Sequence, residues 1–158
     1  MTEVLFYHLK GQTPEQVLPA LLQKSLERGW RVVVQASSDE RVEALDAHLW
    51  TWRDDSFLPH GTWREAEAAA QPIVLTTGDD NPNSATVRFL VDGAGNGADN
   101  GTSFAENALT YDRVVMLFDG DDPDAVEAAR KRWTEAKAAG AEVTYWRADE
   151  NGRWSRQG

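Results

Sequence analysis

The sequence predicts an α/β fold: a three-layer α/β/α sandwich around a mainly parallel sheet, resembling nucleotide-binding folds without a phosphate loop. Two patterns carry this reading. Short apolar runs with β-branched centres recur along the chain, and stretches with apolar residues at helical spacing stand between them. Strands that alternate with helices pair mainly in parallel, with helices laid on both faces. In addition, no internal repeat or linker divides the 158 residues, so residues 1–158 read as one domain large enough to bury a core.

Each element has a local reason. Residues 4–9 form an apolar run suited to a buried strand. Thr13 and Pro14 then open a helix, because threonine caps and a first-turn proline loses no needed N–H. Val17, Leu18, Leu21, Leu22 and Leu26 form its stripe, and Gly29 stops it. Residues 31–36 are the second strand. A helix follows over about 38–50, with Val42, Leu45 and Leu49 facing the core and Ser37 and Glu40 matching a capping box. Residues 63–71 have helix-forming composition but a weak stripe. Strands are expected at 72–76, 87–91 and 113–118, a polar turn at 78–84 and a short helix within 103–111. A long helix over about 124–139 ends at Gly140. A last strand at 142–146 and a polar tail complete the chain.

Composition narrows the function. The net charge is −10, so most of the surface repels nucleic-acid phosphates and no direct nucleic-acid partner is expected. There is no cysteine, which excludes disulfides and thiolate metal sites. The first residues lack the basic and apolar regions of a signal peptide, and no apolar run is long enough to span a bilayer. The expectation is a cytoplasmic protein with no membrane partner.

Catalytic and cofactor motifs fail in context. Gly93-Ala94-Gly95-Asn96-Gly97-Ala98 formally matches a dinucleotide fingerprint, but Asp99-Asn100-Gly101 breaks the helix that should hold the pyrophosphate. No Walker pattern is present. His8, His48 and His60 lack ligand spacing, and Ser56 with His60 lacks a nucleophile elbow. Asp119, Asp121, Asp122 and Asp124 read as a turn with carboxylates near a helix N-terminus. No catalytic residue, metal or cofactor is expected.

Two clusters point to protein partners. Residues 50–61 leave helical period yet remain aromatic, with Trp50, Trp52, Phe57 and Pro59 before His60 and Gly61. Such a loop either folds onto its own domain or meets a partner. The second cluster is Ala129-Arg130-Lys131-Arg132-Trp133, a concentration of positive charge in an acidic chain. Arg130, Trp133, Thr134 and Lys137 share one helical face. Arginine beside an indole suits a short acidic peptide ending in an aromatic group, because guanidinium takes carboxylates bidentately and indole packs the ring.

The order of these motifs resembles the chi subunit of bacterial DNA polymerase III. The matching stretches are Phe6-Tyr7-His8-Leu9, Gly29-Trp30-Arg31-Val32, Leu45-Asp46 with Leu49-Trp50, and Ser56-Phe57-Leu58-Pro59-His60-Gly61. Pro72-Ile73, the turn from Asn81 to Asn83, Phe118-Asp119-Gly120, Ala129-Arg130 with Arg132-Trp133, Lys137 with Gly140, and Tyr145-Trp146 complete them. The resemblance implies a non-enzymatic adaptor of the clamp-loader assembly. It would join a psi subunit to the acidic C-terminal tail of single-stranded DNA-binding protein, and an accessory helicase would compete for the psi-facing surface. It places the psi or helicase surface at Trp50, Phe57, Pro59 and His60, and the tail pocket at Arg130, Trp133, Thr134, Lys137 and Tyr145. Thr134 stands where the family often has Lys, and Glu127 lies near another commonly basic position; Lys137 or Arg132 is expected to supply that charge. The competing class, a nucleotide-dependent enzyme on a Rossmann-like fold, lacks its phosphate loop.

Overall fold

The computed structural model describes residues 2–51, 58–78, 80–91, 107–148 and 153–157. The elements are β1 (Glu3–Leu9), α1 (Pro14–Glu27), β2 (Val32–Gln35), α2 (Asp39–Thr51), β3 (Gly61–Thr62), a 3₁₀ turn (Ala68–Ala70), β4 (Ile73–Thr76), β5 (Val87–Leu90), β6 (Arg113–Asp119), α3 (Pro123–Ala138), β7 (Glu142–Ala148) and β8 (Trp154–Arg156). They build one eight-stranded sheet in the order β3-β4-β2-β5-β6-β1-β7-β8. Among the described residues every pairing is parallel except that of β7 with β8.

The strand period of two sorts side chains between two cores. Leu5 and Leu9 of β1, Val32 and Val34 of β2, and Val115 and Leu117 of β6 pack with Leu18 and Leu22 of α1 and Leu45 and Leu49 of α2. Val4 and Phe6, Val33, and Val114, Met116 and Phe118 face the other way, toward Ala129 and Ala136 of α3. The small residues on α3 let that helix lie close to the sheet. The result is the expected α/β/α layering, with α1 and α2 on one face and α3 on the other.

Local chemistry explains the ends. Thr13 and Gln16 form a full capping box at α1: Thr13 Oγ1 accepts from Gln16 N–H at 3.3 Å, and Gln16 Oε1 accepts from Thr13 N–H at 2.9 Å. Beyond α1, Gly29 takes φ +78°, a conformation that a side chain would oppose. Three expectations are corrected. Ser38, not Ser37, caps α2, accepting from Arg41 N–H at 3.2 Å; because α2 begins at Asp39, Glu40 falls one place short of the box position. Residues 63–71 do not form an α-helix: i→i+3 bonds from Glu65 N–H to Thr62 and Ala68 N–H to Glu65 make successive turns. No apolar stripe there rewards a longer helix, and Glu65 Oε2 folds back to accept Thr62 N–H at 2.6 Å. The polar tail returns as β8 because Trp154 has a ring to cover, Tyr7 at 4.8 Å. Of the short helix expected within 103–111, residues 103–106 lie outside the described residues; Asn107 and Ala108 are helical.

Two buried polar side chains hold the loops at the sheet's ends. Asn83 donates to the carbonyls of Val32 and Gln71, each at 3.0 Å. Arg88 is only 1% exposed and donates to Asp80 O at 3.0 Å, Tyr111 Oη at 2.9 Å, Gln35 Oε1 at 2.5 Å and Gly78 O. A buried guanidinium is tolerated when its terminal nitrogens are met in this way; Nε has no partner among the described residues.

Candidate protein-binding sites

The sheet's topology first marks a place that is not a phosphate site. β1 feeds α1 on one face and β6 feeds α3 on the other, so their carboxyl ends form the crevice where open α/β sheets usually hold ligands. Here the crevice is stitched shut. Gly120 N–H donates to Leu9 O at 2.6 Å, and Gly11 N–H to Asp121 Oδ2 at 3.3 Å. Asp119 accepts from Asp121 N–H at 2.9 Å, and Asp122 caps α3 through Asp124 N–H at 3.0 Å. Carboxylates therefore stand where a phosphate would need donors, and they serve the turn.

Beside this turn a cavity of about 490 Å³ opens between α3 and the sheet. Phe6 and His8 come from β1, Phe118 from β6, Tyr145 and Arg147 from β7, and Arg130 and Trp133 from α3. The register explains the meeting: Phe6 lies opposite Tyr145 and His8 opposite Arg147, all on the α3 face. Trp133 packs against Phe6 with centroids 5.5 Å apart and meets Tyr145 edge-on at 6.4 Å. His8 Nδ1 is hydrogen-bonded to the Tyr145 hydroxyl, and its ring stands edge-on to Phe118 at 5.2 Å. Burial lowers the pKa of His8, with Arg147 pushing the same way. Burial raises that of Tyr145, against the pull of Arg147 and Arg130. The cavity thus has an apolar, aromatic floor, a neutral imidazole clamp and cations from two elements at its mouth.

Of the residues named from sequence, Arg130, Trp133 and Tyr145 meet in this cavity; Thr134 and Lys137 do not line it. The Thr134 hydroxyl turns back to donate to Arg130 O at 3.1 Å. Thr134 lies instead over a shallow groove on the outer side of α3 with Glu127 and Lys131. Lys137 lies seven residues past Arg130, roughly 10 Å farther along the axis. Arg132 points inward, is buried, and pairs with Glu135 at 3.0 Å. The cation that joins Arg130 is Arg147. The sequence signal for it was available: Tyr145 and Arg147 are two apart on a strand and share a face.

The second cluster separates into a displayed part and a latched part. Trp50, at the end of α2, is 53% exposed, with its ring 4.4 Å from that of His60. His60 is buried; Nδ1 faces Leu58 O at 2.6 Å, and Nε2 faces Asp46 O at 3.2 Å and Asp46 Oδ1 at 3.0 Å. The imidazole therefore ties residues 58–60 to α2. Leu58 is buried in the core and Pro59 is half-buried. Trp52 and Phe57 lie outside the described residues. Trp63, which the sequence reading placed in a helix, is 41% exposed just after β3.

Comparison with known proteins places this architecture. The family described as DNA polymerase III chi subunit, HolC, matches residues 1–144. The chain belongs to this family. It is 28% identical over 91 residues to a probable DNA polymerase III subunit chi of Rickettsia prowazekii, covering 58% of this chain and 55% of that protein. It is 30% identical over 82 residues to the DNA polymerase III subunit chi of Pseudomonas aeruginosa, covering 50% and 56%. The matches thus span little more than half the length of these curated relatives. By its description the family is a subunit of DNA polymerase III. Among the described residues no helix is long and apolar enough to cross a membrane.

Proposed function

We propose that this chi-family chain is a non-catalytic adaptor of the clamp-loader assembly, acting in the cytoplasm as one domain. One site binds the acidic C-terminal tail of single-stranded DNA-binding protein; a distant one binds a psi subunit or an accessory helicase. The observation that carries the reading is the convergence of Arg130 and Arg147 on a cavity floored by Phe6, Phe118, Trp133 and Tyr145. Such a pocket suits a chain end with an apolar last residue: rings take the side chain and a guanidinium takes the carboxylate. Thr134 and Lys137 would add only at the rim.

The Trp50 surface suits the second partner because an exposed indole beside a latched loop is a ready anchor. The sites stand on opposite faces of the sheet. β3 and β1 are five strand positions apart, roughly 24 Å, so both partners fit at once. Affinity capture with the wild-type chain tests the pairing. Single-stranded DNA-binding protein is expected to be recovered by wild type and by Trp50→Ala, and lost with Trp133→Ala. Recovery by Trp133→Ala at wild-type level would refute the assignment.

A further inference from the structure

On the face opposite the tail pocket, a groove of about 620 Å³ lies between the last turn of α1 and the β1–β7–β8 end of the sheet. α1 crosses from β1 toward β2, away from β7 and β8, and Trp146 and Trp154 there are only half-buried. Rings do the covering. Tyr7 stacks on Trp146 at 6.0 Å with planes 19° apart, and Trp154 meets Tyr7 edge-on at 4.8 Å. Trp30 forms the opposite wall.

The rim is strongly positive for so acidic a chain. Among the described residues, Lys24, Arg28, Arg113 and Arg153 line the groove against one carboxylate, Glu3. The Arg28 and Arg113 guanidinium carbons lie 5.0 and 4.8 Å from the Trp30 ring centroid, where ring and cation attract. Arg113 also pairs with Glu3 at 2.8 Å. This placement is not needed by the tail pocket: Tyr145 and Trp146 are successive strand residues that point to opposite faces.

We propose that this groove is a second docking site, for a short acidic peptide segment that carries an aromatic side chain. The cations select carboxylates, and the stacked and edge-on rings accept another ring at low ordering cost. The net charge of −10 decides against a nucleic-acid strand. A strand carries its charge beyond the groove and meets an acidic surface, whereas a short segment keeps its charge within the basic rim.

The test uses the full chain and the blocked peptide acetyl-Asp-Glu-Phe-Asp-Glu-amide, which has no terminal carboxylate. Binding is followed by NMR through the indole N–H signals of Trp30, Trp146 and Trp154, with Trp133 as the reporter of the other pocket. Saturable shifts of the first set are expected. Replacing Phe by Ala in the peptide, or Lys24→Gln with Arg28→Gln in the protein, should weaken binding about tenfold. Both protein positions are exposed, so the variant should melt as wild type does. Arg130→Ala should leave the shifts unchanged. Shifts confined to Trp133, undiminished affinity in the double variant, or equal or stronger shifts with a thymidine hexanucleotide would overturn the proposal.

Discussion

Gly120→Ala probes the floor of the tail pocket without touching a residue proposed to meet the peptide. A Cβ at position 120 would lie 1.9 Å from His8 Nε2 and 2.2 Å from its Cδ2. Neither side has room to retreat. Gly120 is held by its 2.6 Å hydrogen bond to Leu9 O, and the His8 ring is tethered to Tyr145 and packed on Phe118. Overpacking of this kind costs about 1–3 kcal/mol. In a chain of this length that lowers Tm by roughly 2–4 °C per kcal/mol. His8→Ala alone should also destabilise, by about 2 kcal/mol, through lost packing and a lost hydrogen bond. Combined, the two changes should cost less than their sum, because the new methyl enters the space that the imidazole leaves. A coupling of about 1–2 kcal/mol is expected from residues in direct contact. Urea unfolding of the two single variants and the double variant measures it, with m held constant as the check on two-state behaviour. Strictly additive costs would refute the proposed wedge between His8 and Gly120.

Further expectations follow from the same geometry. Arg88→Met should destabilise by about 3–5 kcal/mol in urea unfolding, because it strands acceptors at Gln35, Gly78 and Asp80 that the buried guanidinium now serves. Burial lowers the folded pKa of His8 below its ordinary 6.5, so the fold holds the neutral ring. As pH falls below about 6.5 the unfolded chain takes up that proton first, and stability drops until the folded ring also protonates. His8→Gln should remove this component of the pH profile, as thermal melts across that window would show. Trp50→Ala should cost only about 1 kcal/mol of stability, the residue being about half exposed, yet weaken a psi-like partner by about 2 kcal/mol in calorimetry. An unchanged affinity would remove Trp50 from the interface.

What was legible in the sequence was what local chemistry dictates. The buried parallel strands announced themselves as apolar runs, and Thr13-Pro14 announced the start of α1. The long third helix placed Arg130 and Trp133 together. Their meeting with Tyr145 followed from the family likeness, since the β1–β7 register that joins helix to strand is a long-range property. For the same reason His8 read as an isolated histidine: its partners Tyr145 and Phe118 are distant in sequence and come together only because β1 lies between β6 and β7. Arg132 misled because a charge run suggests an exposed face, whereas Ala129, Arg132 and Ala136 form the inward stripe of α3. Residues 63–71 misled because composition favoured a helix that had no apolar face to bury. Trp154 was read as part of a polar tail, although an indole in such a tail was itself a hint that the chain returns to the sheet.

The central claim is that Arg130 and its aromatic neighbours take the end of an acidic tail. Fluorescence anisotropy with a labelled C-terminal tail peptide of single-stranded DNA-binding protein tests it most directly. Wild type is expected to bind in the micromolar range, about −8 kcal/mol. Binding should weaken with salt, because exposed charges are screened over about 10 Å at 0.1 M. Arg130→Ala should lose about 1.5–3 kcal/mol of that affinity, and a peptide lacking its terminal apolar residue should bind markedly less well. Equal affinity for Arg130→Ala, or for the truncated peptide, would contradict the account and place the tail elsewhere on the chain.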